Sequence, residues 1–210
     1  MRARAARSGL RLGRSDPAAP YLNPNDPRAS HDPGIYYVTQ AAHGIRMKQL
    51  EPTAYSGSKS GGVFASAMTY GIHKATWKAE VPRARASLRI KDRAPTFYFY
   101  FEQKQGTLSY SAGLPAWFGG LSSPNQFSLV RLDAKKGSRK LVVEEFGAFG
   151  TSTGTRGQDA IGLDYQKVEP GIYKVTPQES LEQGEYCFFY TGQNAAMGFG
   201  GGSLFDFGVD

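Results

Sequence analysis

Three histidines, one cysteine and one Ser-x-x-Lys spacing are the residues of this chain with the types for chemistry. His31, His43 and His73 fall in a Pro-rich stretch, in a turn between two apolar runs and at the start of a strand. They lack the i, i+4 spacing of helical metal ligands, and there is no HExxH and no Cys/His pair, so no zinc site is expected. Each reads as an exposed or hydrogen-bonded histidine. Cys187 lies between Tyr186 and Phe188 in an apolar strand, where a thiol behaves as a small hydrophobe and its thiolate is disfavoured. Nucleophilic catalysis there would need a histidine alongside, with His73 the candidate. Ser56-Gly57-Ser58-Lys59 has the spacing that places a lysine one helical turn from a nucleophilic serine, but the surrounding glycines and serines predict a loop. Glu144 and Glu145 alternate faces of a strand and do not converge as an acid/base pair. The Gly-rich segments 147–157 and 198–202 lack the Gly-Lys-Ser/Thr ending of a phosphate loop. The expectation is a non-enzyme with no catalytic residue, metal or cofactor. A small hydrolase-type enzyme using Cys187 or Ser56 is the alternative.

Two features suit binding instead. Trp117 and Phe118 sit in a loop with Gly113, Pro115, Gly119 and Gly120, where rings either meet a sugar or protein partner or anchor the loop into the core. The other is the N-terminus. The net charge is +7, and Arg2, Arg4, Arg7, Arg11 and Arg14 supply five of those charges with no acid among the first 15 residues. The rest of the chain is nearly balanced, with 20 basic and 18 acidic side chains, which argues against a general nucleic-acid-binding face on the body. The five arginines suit an acidic partner, nucleic acid or an anionic surface. For the body, a protein partner or a second copy of the chain is expected.

These residues must be positioned by β-structure. In Phe97-Tyr98-Phe99-Tyr100-Phe101, alternation puts Phe97, Phe99 and Phe101 on one face and Tyr98 and Tyr100 on the other. Ala75, Trp77, Ala79 and Val81 alternate with Lys74, Thr76, Lys78 and Glu80, the pattern of a half-solvated antiparallel strand. Ala86, Leu88 and Ile90 predict its partner. Ile35–Thr39 with Ile45–Leu50, and Phe127–Asp133 with Arg139–Phe146, predict hairpins. Residues 51–62 read as loop. The last third reads as strands over 171–176, 185–191 and 203–209. No window shows convincing helical periodicity, so helices should be short and few. Leu181-x-x-Gly184-x-Tyr186 places a tyrosine where its hydroxyl would fold back to upstream backbone, a tyrosine corner.

The expected fold is all-β: an antiparallel β-sandwich, immunoglobulin-like or jelly-roll, with an extended N-terminal arm. Residues 1–33 form that arm, Arg-rich and then Pro-rich and flexible, and 34–210 a single domain. No stretch reaches the ~18 apolar residues of a membrane-spanning helix. The first 15 residues have the charge of a signal-peptide n-region without its apolar core. The compartment stays open: export if the true start lies upstream of Met1, the cytoplasm otherwise. One cysteine excludes an intrachain disulfide.

The segments Ser123-Pro124-Asn125-x-Phe127-x-Leu129-Val130-x-Leu132, Pro170-Gly171-Ile172-Tyr173-x-Val175, Gly184-Glu185-Tyr186-Cys187-Phe188 and Phe205-Asp206-Phe207-Gly208-Val209 resemble a group of uncharacterised bacterial β-sandwich proteins. Pro95-Thr96-Phe97-Tyr98-Phe99 belongs to the same pattern, so the resemblance runs from about Gly34 to Asp210. Several of that group are expected to be exported, which implies a lean toward the cell envelope. These motifs are turn and core positions, and the group brings no established activity.

Overall fold

A computed structural model describes residues 25–29, 31–42, 44–60, 75–102, 118–145, 154–155, 160–190 and 202–210. Its first sheet has five antiparallel strands. These are β1 (Gly34–Ala41), β2 (Gly44–Gln49), β6 (Thr96–Tyr100), β11 (Leu163–Glu169) and β12 (Ile172–Pro177), in the order β11-β12-β6-β1-β2. The second holds β3 (Pro52–Ser60), β4 (Ala75–Pro82), β7 (Phe127–Lys135), β8 (Ser138–Glu145), β13 (Gly184–Tyr190) and β14 (Gly202–Val209). Short two- or three-residue pieces decorate them: β5 (Arg89–Ile90), β9 (Gly154–Thr155), β10 (Ala160–Ile161) and the 3-10 turns Phe118–Gly120 and Pro124–Gln126.

The all-β, antiparallel architecture is the expected one, but the second sheet is not an open layer. Its strands run β7-β13-β14-β3-β4-β8, and β8 pairs back with β7 through Asp133↔Lys140, Ala134↔Arg139 and Lys135↔Ser138. Six strands thus close into a barrel, which pairs strands that would otherwise carry unpaired edges. The seam is the expected 127–146 hairpin. Lys136-Gly137 turns the chain, and Gly137 takes a φ of +90°, which a side chain would resist. Beyond the seam the two strands part, β7 toward β13 and β8 toward β4.

Alternation along β7, β13 and β14 gives this wall two apolar faces. Phe127, Leu129, Tyr186, Phe188, Phe205, Phe207 and Val209 look toward the five-stranded sheet and meet Ile35, Phe97, Phe99 and Val175 in the larger core. Val130, Leu132, Cys187, Phe189 and Leu204 look into the barrel, where Tyr55, Ala79, Val81 and Leu141 fill the smaller core. The aromatic strand behaves as its pattern predicts: Phe97 and Phe99 are fully buried and Phe101 nearly so.

Two expectations are corrected and one strand is added. Residues 52–60 form β3 rather than a loop, because pairing with β14 and β4 overrides weak intrinsic propensity. The partners of β4 are β3 and β8, not residues 86–90, although Ala86, Leu88 and Ile90 are buried as their alternation requires. In that stretch only Arg89–Ile90 is strand, parallel to β14. Residues 163–169, unassigned from sequence, form β11, in which Asp164, Tyr165, Gln166 and Lys167 are all exposed, so no apolar alternation marks it.

The tyrosine corner is present. Tyr186 is buried, and its hydroxyl donates to the Glu182 carbonyl oxygen at 2.8 Å. Tyr186→Phe leaves that carbonyl without this donor and should cost about 1 kcal/mol in urea unfolding, with the denaturant slope unchanged.

Candidate functional site

The outward face of the five-stranded sheet is built from the polar-tipped half of the aromatic strand. Register aligns Tyr36 with Tyr98 and Tyr98 with Lys174, and Val38 with Thr96. The segment before β1 crosses this face instead of hanging free. Pro27 offers its carbonyl to the Tyr100 hydroxyl at 2.8 Å, and His31 packs against Tyr36 and Tyr100 with ring centroids 5.3 and 4.7 Å away. Asn25 caps the outer edge of β2 by accepting the Met47 amide at 3.0 Å. Ala29 is buried. Residues 25–29 and 31–33 of the expected arm therefore belong to the folded body.

The three tyrosines differ in what their hydroxyls do. Tyr36 donates to the Asp32 carbonyl at 3.1 Å, and Tyr100 donates to Pro27. Burial pushes the Tyr36 hydroxyl up to about 12, with Asp32 and Glu51 adding to it, and burial also raises Tyr100. Both stay neutral at ordinary pH. Tyr98 is half-buried, its ring stacked toward Tyr100 at 6.5 Å, and its hydroxyl bonds to no group among the described residues. It faces a groove of about 420 Å³. Pro27, Val38 and Ile45 supply apolar walls, Gln40 and Thr96 polar ones, and Lys91 and Lys174 the charge. Neither lysine makes an ion pair among the described residues. The groove's carboxylate, Asp92, accepts the Ala94 amide at 2.9 Å.

A larger cleft of about 750 Å³ opens at one end of the barrel and is chemically different. Its cations already have partners: Arg85 with Asp210, Arg131 with Glu182 and Lys140 with Glu80. Arg89 bridges Glu185 and Asp210. Gly208 permits this, since a Cβ there would lie 1.6 Å from the Arg89 guanidinium. Beneath the cleft, fully buried Arg139 donates to Asp206 at 2.5 Å and lies 3.5 Å from Glu185. Its other nitrogens reach the carbonyls of Pro82 at 3.1 Å and Arg83 at 3.0 Å. Arg83 adopts a φ of +69° just where these two consecutive carbonyls meet the guanidinium. Thr53 donates to the second oxygen of Asp206, and the Ala86 amide donates to Glu185 at 2.7 Å. The network is a saturated plug for the barrel end.

The residues singled out from sequence distribute as follows. Cys187 is fully buried inside the barrel, and desolvation drives its thiol far above its ordinary value, aided by Asp206 and opposed by Arg139. Native Cys187 should react with iodoacetamide at neutral pH at least 100-fold more slowly than in urea, read by intact mass. Comparable rates would mean the barrel opens readily. Ser56 is an exposed mid-strand residue of β3 and opens no helix. Phe118 is buried, stacked on Phe101 and edge-on to Phe205, so its ring anchors the core and offers no surface contact. Trp117, His43, His73 and Arg2, Arg4, Arg7, Arg11 and Arg14 lie outside the described residues, as do the Gly-rich segments apart from 154–155 and Gly202. Among the described residues no group of three or more His, Cys, Asp or Glu is placed to hold a metal ion, and no helix is long and apolar enough to cross a membrane. Sequence reading missed the groove. Its one legible signal was the Tyr98/Tyr100 face, and the lysines reach it from β12 and the segment after β5.

No family model, curated protein or solved structure matches the chain. The groove and the cleft are therefore weighed on their chemistry alone.

Proposed function

We propose that this chain is a non-enzymatic binding module, acting at a cell envelope or as a subunit of a larger assembly. Its contact surface is the tyrosine groove, and the two packed β layers are its scaffold. One observation carries the reading. On a face where Tyr36 and Tyr100 spend their hydroxyls on the chain itself, Tyr98 has no hydroxyl partner among the described residues, and the two lysines of its groove have no ion pair among them. Concave sites with an aromatic surface and a few convergent polar groups are typical of ligand recognition. The hydrolase alternative draws less support, because Cys187 is sealed in the barrel and Ser56 opens no helix. Nucleic-acid or anionic-surface binding through Arg2 to Arg14 is a separate reading, and a salt-sensitive affinity lost on deleting residues 1–15 would establish it.

A panel of glycans, peptides and nucleic acids, offered in parallel to the full chain and to Tyr98→Ala, tests the groove. Binding of one class that falls at least about tenfold in the variant is expected. Binding that survives the substitution would move the contact surface elsewhere.

A further inference from the structure

We infer that the groove over Tyr98 takes a pyranose ring carrying a carboxylate, the acidic-sugar class of saccharide; this rests on the groove being the contact surface. Each part of such a ligand has a counterpart. The C–H face of a pyranose is apolar and flat, and Tyr98 offers a half-buried ring lying beside that of Tyr100. Sugar hydroxyls need donors and acceptors at close range, and the Tyr98 hydroxyl, Thr96 and Gln40 supply them.

The carboxylate is called for by charge. Lys174 stands beside Tyr98 in register, and Lys91 lines the same groove. Neither has a carboxylate partner among the described residues, whereas every arginine and lysine lining the barrel-end cleft does. Asp92 does not neutralise them by pairing and is held by the Ala94 amide. Two ammonium groups against the single Asp92 carboxylate leave the groove lining net positive, which favours an anion over a neutral sugar. The volume of about 420 Å³ has room for one or two sugar rings.

Calorimetric titration of the full chain with trigalacturonate, maltotriose and triglutamate separates the possibilities. Trigalacturonate alone should bind, more weakly as salt is raised, and Tyr98→Ala should lower its affinity at least about tenfold. Lys174→Gln, a surface change that leaves the core intact, should lower it about three- to fivefold. Equal binding of maltotriose would overturn the role of the lysines, and equal binding of triglutamate the role of the ring. Silence with all three would overturn the acidic-sugar class, leaving the groove itself to the panel. Trigalacturonate binding that ignores both substitutions would overturn the class and the location together.

Discussion

Arg139→Met should destabilise the fold by about 3–5 kcal/mol in urea unfolding. The guanidinium is 1% exposed and holds Asp206, which is itself buried, while approaching Glu185 at 3.5 Å. Removing it leaves two carboxylates near one another in a low-dielectric barrel end, with the Thr53 hydroxyl, the Ala86 amide and Arg89 as their remaining partners among the described residues. The carbonyls of Pro82 and Arg83 lose their donors as well. Arg139→Met with Asp206→Leu should recover a substantial part of the loss. A double variant as unstable as the single one would show that the bonds to Pro82 and Arg83, not the ion pair, carry the effect.

Phe99→Ala should cost a similar amount, about 3–5 kcal/mol, by a different route. Phe99 is fully buried, edge-on to Phe127 at 5.4 Å and to Phe188 at 5.1 Å, and it packs against Phe101 at 6.2 Å. It therefore joins the five-stranded sheet to the barrel wall, and a cavity at this junction has rigid aromatic walls that relax little. Phe99→Leu should recover more than half of the loss. If Phe99→Ala cost under about 1 kcal/mol, the two layers would not depend on this contact.

The difference in legibility between these two sites has a physical origin. Phe97, Phe99 and Phe101 alternate with tyrosines within five residues, so local pattern alone exposes the core strand. The Tyr186 corner was legible for the same reason, as a hydroxyl four residues from its acceptor. Arg139 gives no such signal. It reads as the polar residue of a hairpin beside a lysine, and its partners are distant in sequence, at the end of β4 (Pro82 and the following Arg83), on β13 (Glu185) and on β14 (Asp206). Barrel closure was hidden likewise, because the β7–β8 turn predicts a hairpin whether or not its strands go on to complete a ring. Residues 52–60 were lost to composition, since serine and glycine read as loop until two neighbouring strands claim them. The groove was half visible. Tyr98 and Tyr100 mark a polar-tipped face, but which hydroxyl has no partner among the described residues is decided by Asp32 and by residues 25–29 folding over the sheet.

Amide-shift mapping of the full chain with the tightest ligand from the panel tests the central claim most directly. The expected result is a contiguous set of shifts at Val38–Gln40, Thr96–Tyr98 and Lys174, with the barrel-end residues 131–134 unmoved. Shifts confined to those barrel-end residues, or to residues 1–15, would contradict the assignment of the outer sheet face as the contact surface.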